Sequence, residues 1–166
     1  MKTRIITISL GLSLLLASCS RKSSPPASAP SATAPVASPL IVAWKQGDKS
    51  VAISHFVETD WNSRPLFASG SACNLTEAQF RALPREKQQQ ESEEMIAEIT
   101  SLKELAAATA QAGRDAAWNG DKAQARKYFA ALQQCGAALD SSTYSLLVQK
   151  VGQALKRISD AESKNL

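Results

Sequence analysis

Gly120-Asp121-Lys122-Ala123-Gln124-Ala125-Arg126-Lys127-Tyr128-Phe129 decides the fold, because it repeats a pattern met earlier as Gly47-Asp48-Lys49-Ser50-Val51-Ala52-Ile53-Ser54-His55-Phe56. Gly, Asp, Lys, Ala and Phe coincide between the two, and a Trp stands just upstream of each, Trp44 and Trp118. Every shared residue type has a mechanical use. Gly turns the chain, Asp caps a new helix, Ala five residues after Gly permits close helix approach, and Phe nine residues after Gly fills the space between helices. The pattern predicts helical hairpins and an all-α fold.

Working outward, Leu40 to Gln46 is apolar and predicts a short helix after Pro39, broken at Gly47; Asp48 then caps a second helix through about Thr59. Residues 60–74 read as irregular, with Trp61, Pro65, Leu66 and Phe67 folding back over the core, since so much apolar surface is costly to leave wet. Thr76 and Gln79 form a capping box for a helix through Leu83, and Pro84 suits the first turn of the next. This helix initiation outweighs the formal glycosylation sequon Asn74-Leu75-Thr76. From Arg85 to Asn119, Ile99, Leu102, Ala106 and Ala110 recur at helical spacing, which predicts one long amphipathic helix or two joined ones, with Glu91 to Glu94 on a solvated face. Gly120 ends that stretch and Asp121 caps a helix to about Leu139. Ser141 or Ser142 opens the last helix, with Leu147, Val151, Leu155 and Ile158 as its apolar stripe. Only Val36 and Leu40 to Ala43 have β character, and both are short, so no strand is predicted.

The later copy carries Gly113 seven residues before Gly120, inside a predicted helix. Together these residues resemble a tetratricopeptide unit, a family that keeps a small residue at that place in its first helix. The resemblance covers residues 106–139, and 40–59 by half: the earlier copy has Leu40 in place of the Gly, and neither copy has the Pro that usually closes the unit. It implies a hairpin array that offers a groove to peptides or partner helices. The alternative is a Gly-Asp turn of the kind found in any antiparallel helical hairpin.

The N-terminus answers a different question. Lys2 and Arg4 precede an apolar run from Ile5 to Leu16, too short to span a bilayer, and Ala17-Ser18 supplies the small residues a signal peptidase needs. Leu16-Ala17-Ser18-Cys19 resembles the lipobox of bacterial lipoprotein precursors. That resemblance implies cleavage between Ser18 and Cys19, a diacylglycerol on the Cys19 sulfur and a palmitate-type acyl chain on its nitrogen, hence a lipid bilayer as one partner. Ser20, being other than Asp, implies export to the outer membrane facing the periplasm. An ordinary secretory signal that abuts a cysteine is the alternative. Ser20 to Pro39 holds six Ser, five Pro and five Ala in twenty residues, a composition that cannot repay its chain entropy by burial and so reads as a disordered tether. The expected division is therefore a signal peptide over 1–18, lipidated Cys and tether over 19–39, and one helical domain over 40–166.

Without Lys2 and Arg4, 17 of the chain's 19 basic residues remain and nearly balance its 15 acidic ones, and Lys150, Lys156 and Arg157 are too few for a nucleic-acid face. Cys73 and Cys135 remain after Cys19, an even pair that reads either as a disulfide or as two free thiols, Cys135 buried and Cys73 exposed. For catalysis the residues are sparse. His55 is the only histidine, and a Cys73/His55 nucleophile pair lacks any local signature and competes with the disulfide. No phosphate-cradling loop, nucleophile elbow or metal-spaced His/Cys cluster occurs, so neither metal nor cofactor is expected. Trp44, Trp61 and Trp118 read as helix-packing residues before they read as a ligand site. The expected role is a membrane-anchored protein-binding adaptor. A small Cys73/His55 enzyme or an envelope spacer stand as alternatives, although Ser163-Lys164-Asn165-Leu166 does not resemble the terminal lysine of murein-linked lipoproteins.

Overall fold

The computed structural model describes residues 39–62 and 66–166. The signal peptide, Cys19, the tether and Pro65 lie outside the described residues. The described chain is all-α, with no strand: α1 (Pro39–Lys45), α2 (Lys49–Glu58), a 3-10 turn (Ala72–Asn74), α3 (Glu77–Arg81), α4 (Arg85–Trp118), α5 (Lys122–Leu139) and α6 (Leu146–Ser163).

The repeated sequence builds the same turn twice. Gly47 and Gly120 adopt φ of 88° and 83°, the left-handed conformation glycine enters without strain. At the first, the Gly47 N–H donates to the Trp44 carbonyl (3.1 Å) and the Asp48 N–H to that of Ala43 (3.1 Å). At the second, Gly120 donates to Ala117 (3.0 Å) and Asp121 to Ala116 (2.9 Å). Both are Schellman closures in identical register, satisfying carbonyls that the ending helix would otherwise orphan. Beyond each turn Ala52 and Phe56, or Ala125 and Phe129, are buried. The caps differ: the Asp121 side chain accepts from the Gln124 N–H (2.9 Å), whereas that of Asp48 makes no cap bond.

Packing separates the hairpins further. A Cβ on Gly113 would lie 2.5 Å from the Phe129 ring, so the ring of α5 rests directly on the backbone of α4. In the first hairpin Leu40 fills the corresponding place, and Phe56 stacks on Trp61 instead, ring centroids 4.7 Å apart. Trp61, Leu66 and Phe67 do fold back into the core, since all three are buried.

A contact of main chain on main chain joins α5 to α6. A Cβ on Gly136 would meet the Gly152 carbonyl oxygen at 2.7 Å, and one on Gly152 the Gly136 oxygen at 2.6 Å, so two main chains touch where only glycine fits. Asp140, closing α5, accepts from Lys156 Nζ (2.6 Å) and Gln153 Nε2 (3.0 Å) on α6, and Ser159 Oγ donates to the Phe129 carbonyl (2.7 Å).

Two expected boundaries move. The capping box at Thr76 and Gln79 is present, but Pro84 is the N-cap of α4 rather than part of its first turn, and α4 runs unbroken to Trp118. The last helix begins at Leu146 behind Ser145, not at Ser141 or Ser142, because its first amide is served from elsewhere: the Leu146 N–H donates to Glu77 Oε2 on α3 (3.2 Å). Of the expected apolar stripe, Val151 and Leu155 face inward together with Val148, while Leu147 and Ile158 stay exposed.

Candidate functional site

Exposed Leu147 and Ile158 border an open apolar surface of the domain. Helices α4 and α6 each pack on α5, which turns them parallel and leaves a cleft between them that no residue of α5 enters. Ile99, Ala106, Val151 and Leu155 form its floor, and Leu147 and Ile158 its α6 lip, around a cavity of about 410 Å³. A smaller hollow of about 130 Å³ continues past Leu147, where Met95 and Ile96 of α4 meet Phe80 of α3. From Ile96 to Ala107 on one wall and Leu147 to Ile158 on the other, the cleft runs about three helical turns, roughly 16 Å.

Charged contacts close both ends. At one, Glu77 receives Arg81 Nε (2.7 Å) and the Leu146 amide, bonds that hold its carboxyl below the usual range, the guanidinium contributing most. At the other, Arg114 Nη1 reaches Glu162 Oε1 at 2.7 Å and ties α4 to α6. Between them stand Lys103 on α4 and Lys150 on α6, both exposed on the rims, and neither forms an ion pair or hydrogen bond among the described residues. Lys150 acts only at a distance, as a minor influence on Asp140. The arrangement offers an apolar stripe with positive charge near its middle.

The residues singled out for chemistry lie elsewhere. Cys73 sits in the 3-10 turn, fully buried and not exposed as the free-thiol reading expects, with Sγ 3.9 Å from the Met95 carbonyl. Burial pushes its thiol up to about 12; a hydrogen bond from Ser71 pulls the other way and the nearby Glu98 carboxylate adds to the rise. Ser71 Oγ also donates to Glu98, fixing the turn against α4. Cys135 is buried in α5 and its thiol is likewise raised by burial. Both are free thiols. Tyr144 lies near enough to feel them, its hydroxyl raised first by burial and then by Cys135 and Cys73. His55 is exposed on α2. A buried protonated thiol and an exposed imidazole do not make an activated nucleophile.

The tryptophans divide three ways. Trp61 is core, and Trp44 is half-buried, its Nε1 donating to Glu104 (3.1 Å) with Lys49 Nζ 5.6 Å from its ring centroid. Trp118, expected to pack between helices, is instead 91% exposed. The reason is register: Trp44 stands three residues before its Gly and Trp118 two, and one helical position turns a side chain by about 100°. Trp118 borders a separate hollow of about 260 Å³ with Arg114, Glu162 and Leu166.

The α4/α6 cleft is the feature that sequence reading missed. Its signal was present in Leu147 and Ile158, but a stripe does not say which of its members meets the core. Among the described residues no helix is long and apolar enough to cross a membrane, and no group of His, Cys, Asp and Glu is placed to hold a metal ion. Compared with protein-family models, with curated proteins and with solved structures, the chain matches none.

Proposed function

We propose that this chain is a bacterial envelope lipoprotein, held through acylated Cys19 at the periplasmic side of the outer membrane, whose tetratricopeptide-like helical domain binds another protein rather than catalysing a reaction. The observation that carries the binding role is the open α4/α6 cleft, an apolar floor three turns long rimmed by exposed Leu147, Ile158 and Ile96. Contiguous apolar surface with a polar rim is the usual signature of an interaction site. Two Schellman turns in identical register support the repeat-like reading of the hairpins. The lipobox at Leu16-Ala17-Ser18-Cys19 and the Ser/Pro/Ala-rich stretch to Pro39 support an anchored domain carried on a tether.

The test has two readouts in the producing cells. Metabolic labelling with an alkyne fatty acid is expected to mark the wild-type chain and not Cys19→Ser, with membrane recovery lost in parallel. In-cell crosslinking followed by mass spectrometry is expected to give one stoichiometric protein partner from the lipidated form. Labelling of Cys19→Ser equal to wild type removes the lipoprotein reading, and lipid-dependent membrane recovery with no partner removes the adaptor.

A further inference from the structure

The α4/α6 cleft is specific about what fills it. On its inner side, the α4/α6 pair already receives one helix, α5, which packs against both. The outer side offers a second seat between the same two parallel helices, about three turns long and closed at its ends by the Glu77 and Arg114–Glu162 contacts. A slot open along one side suits a helix, whose polar face stays in water, better than a small ligand, which needs most of its surface enclosed. Lys103 and Lys150, which line the cleft from α4 and α6 and form no ion pair or hydrogen bond among the described residues, set the charge of the occupant.

Building on the adaptor reading, we infer that the cleft seats an acidic amphipathic helix of a partner protein, with an Asp or Glu between Lys103 and Lys150, an apolar side chain about one turn away on Leu147 and another about two turns away on Ile158. Spacing follows from helix geometry: apolar anchors three to four residues to one side of a carboxylate and seven to eight to the other lie on one face with it. The lysines then act on orientation and partner choice, because opposite charge on an exposed rim selects more than it stabilises.

The experiment places a photo-crosslinking amino acid at exposed Ala154 in the cleft, or in place of exposed Trp118 as a control beyond the Arg114–Glu162 end of it, in the full-length lipidated chain in cells. The expected result is an adduct from Ala154 whose partner peptide maps to a helix bearing Asp or Glu between apolar residues. Its yield should fall about tenfold with Lys103→Glu/Lys150→Glu and persist with the double Arg variant. Circular dichroism melting of both variants should match wild type, since both side chains are exposed. An adduct that ignores the charge reversal, or that maps to a lipid, a second copy or residues 1–38 of the chain itself, overturns the acidic-helix occupant. A protein adduct from position 118 alone overturns the cleft and keeps the adaptor; no protein adduct from either position overturns both.

Discussion

The α1–α2 and α4–α5 hairpins share a turn and little else. Hydrogen bonds at Gly47 and Gly120 correspond one for one, and Phe56 and Phe129 are equally buried nine residues later. Yet Phe129 rests on the bare backbone of Gly113 and Phe56 is held by Trp61, a residue from the irregular segment that follows α2. One hairpin is completed within itself. The other borrows its closure from the next stretch of chain, so a local sequence motif specifies how a helix ends but not what its aromatic will touch.

The strongest way to break the comparison is to remove each ring. Phe129→Ala and Phe56→Ala should each lower unfolding free energy by about 3–5 kcal/mol in urea titration, the range for truncating a buried aromatic. Trp61→Ala should add little to Phe56→Ala if the two act as one contact. Next comes Gly113→Ala, which drives a methyl to 2.5 Å from the Phe129 ring and should cost about 1–3 kcal/mol. In a Phe129→Ala background that cost should vanish, and a double-mutant cycle without coupling would separate Gly113 from the ring. Gly47→Ala and Gly120→Ala should each cost about 1–2 kcal/mol for forcing a side chain into the left-handed region, and should cost the same, because open space surrounds both positions. The smallest effect distinguishes the caps: Asp121→Ala should lose about 1 kcal/mol and Asp48→Ala a few tenths, since only Asp121 holds an amide.

The thiols sharpen the same contrast without mutation. A native Cys73 or Cys135 should resist a thiol reagent at pH 8, being buried and protonated. In mild urea Cys73 should label before Cys135, because its turn is secured to α4 mainly through Ser71 and Glu98 and can open locally, while Cys135 is exposed only when α5 separates from the core. Equal rates would mean that both regions unfold as one unit.

Much of this fold could be read from residues whose information is local. Gly-Asp announced both turns, and Thr76 with Gln79 announced α3, because each acts on amides within a few positions of itself. The start of α6 was misplaced because its cap comes from Glu77, 69 residues away in sequence. Trp118 departs from the expectation because one residue of helical register separates it from Trp44, and a shared residue type near a turn does not fix the face it takes. The candidate site was the least legible part. A cleft is made by what fails to meet, and the distance between α4 and α6 is set by a third helix.

That distance has its own origin in the glycine contact between α5 and α6. With the Gly136 and Gly152 main chains in touch, neither helix has room to roll past the other, and the Asp140 and Ser159 bonds fix their ends. The pair supplies one wall of the cleft through α6, and α4 supplies the other. That second wall is positioned by the seat of Phe129 on Gly113, so a substitution there is expected to alter the width of a surface it never touches.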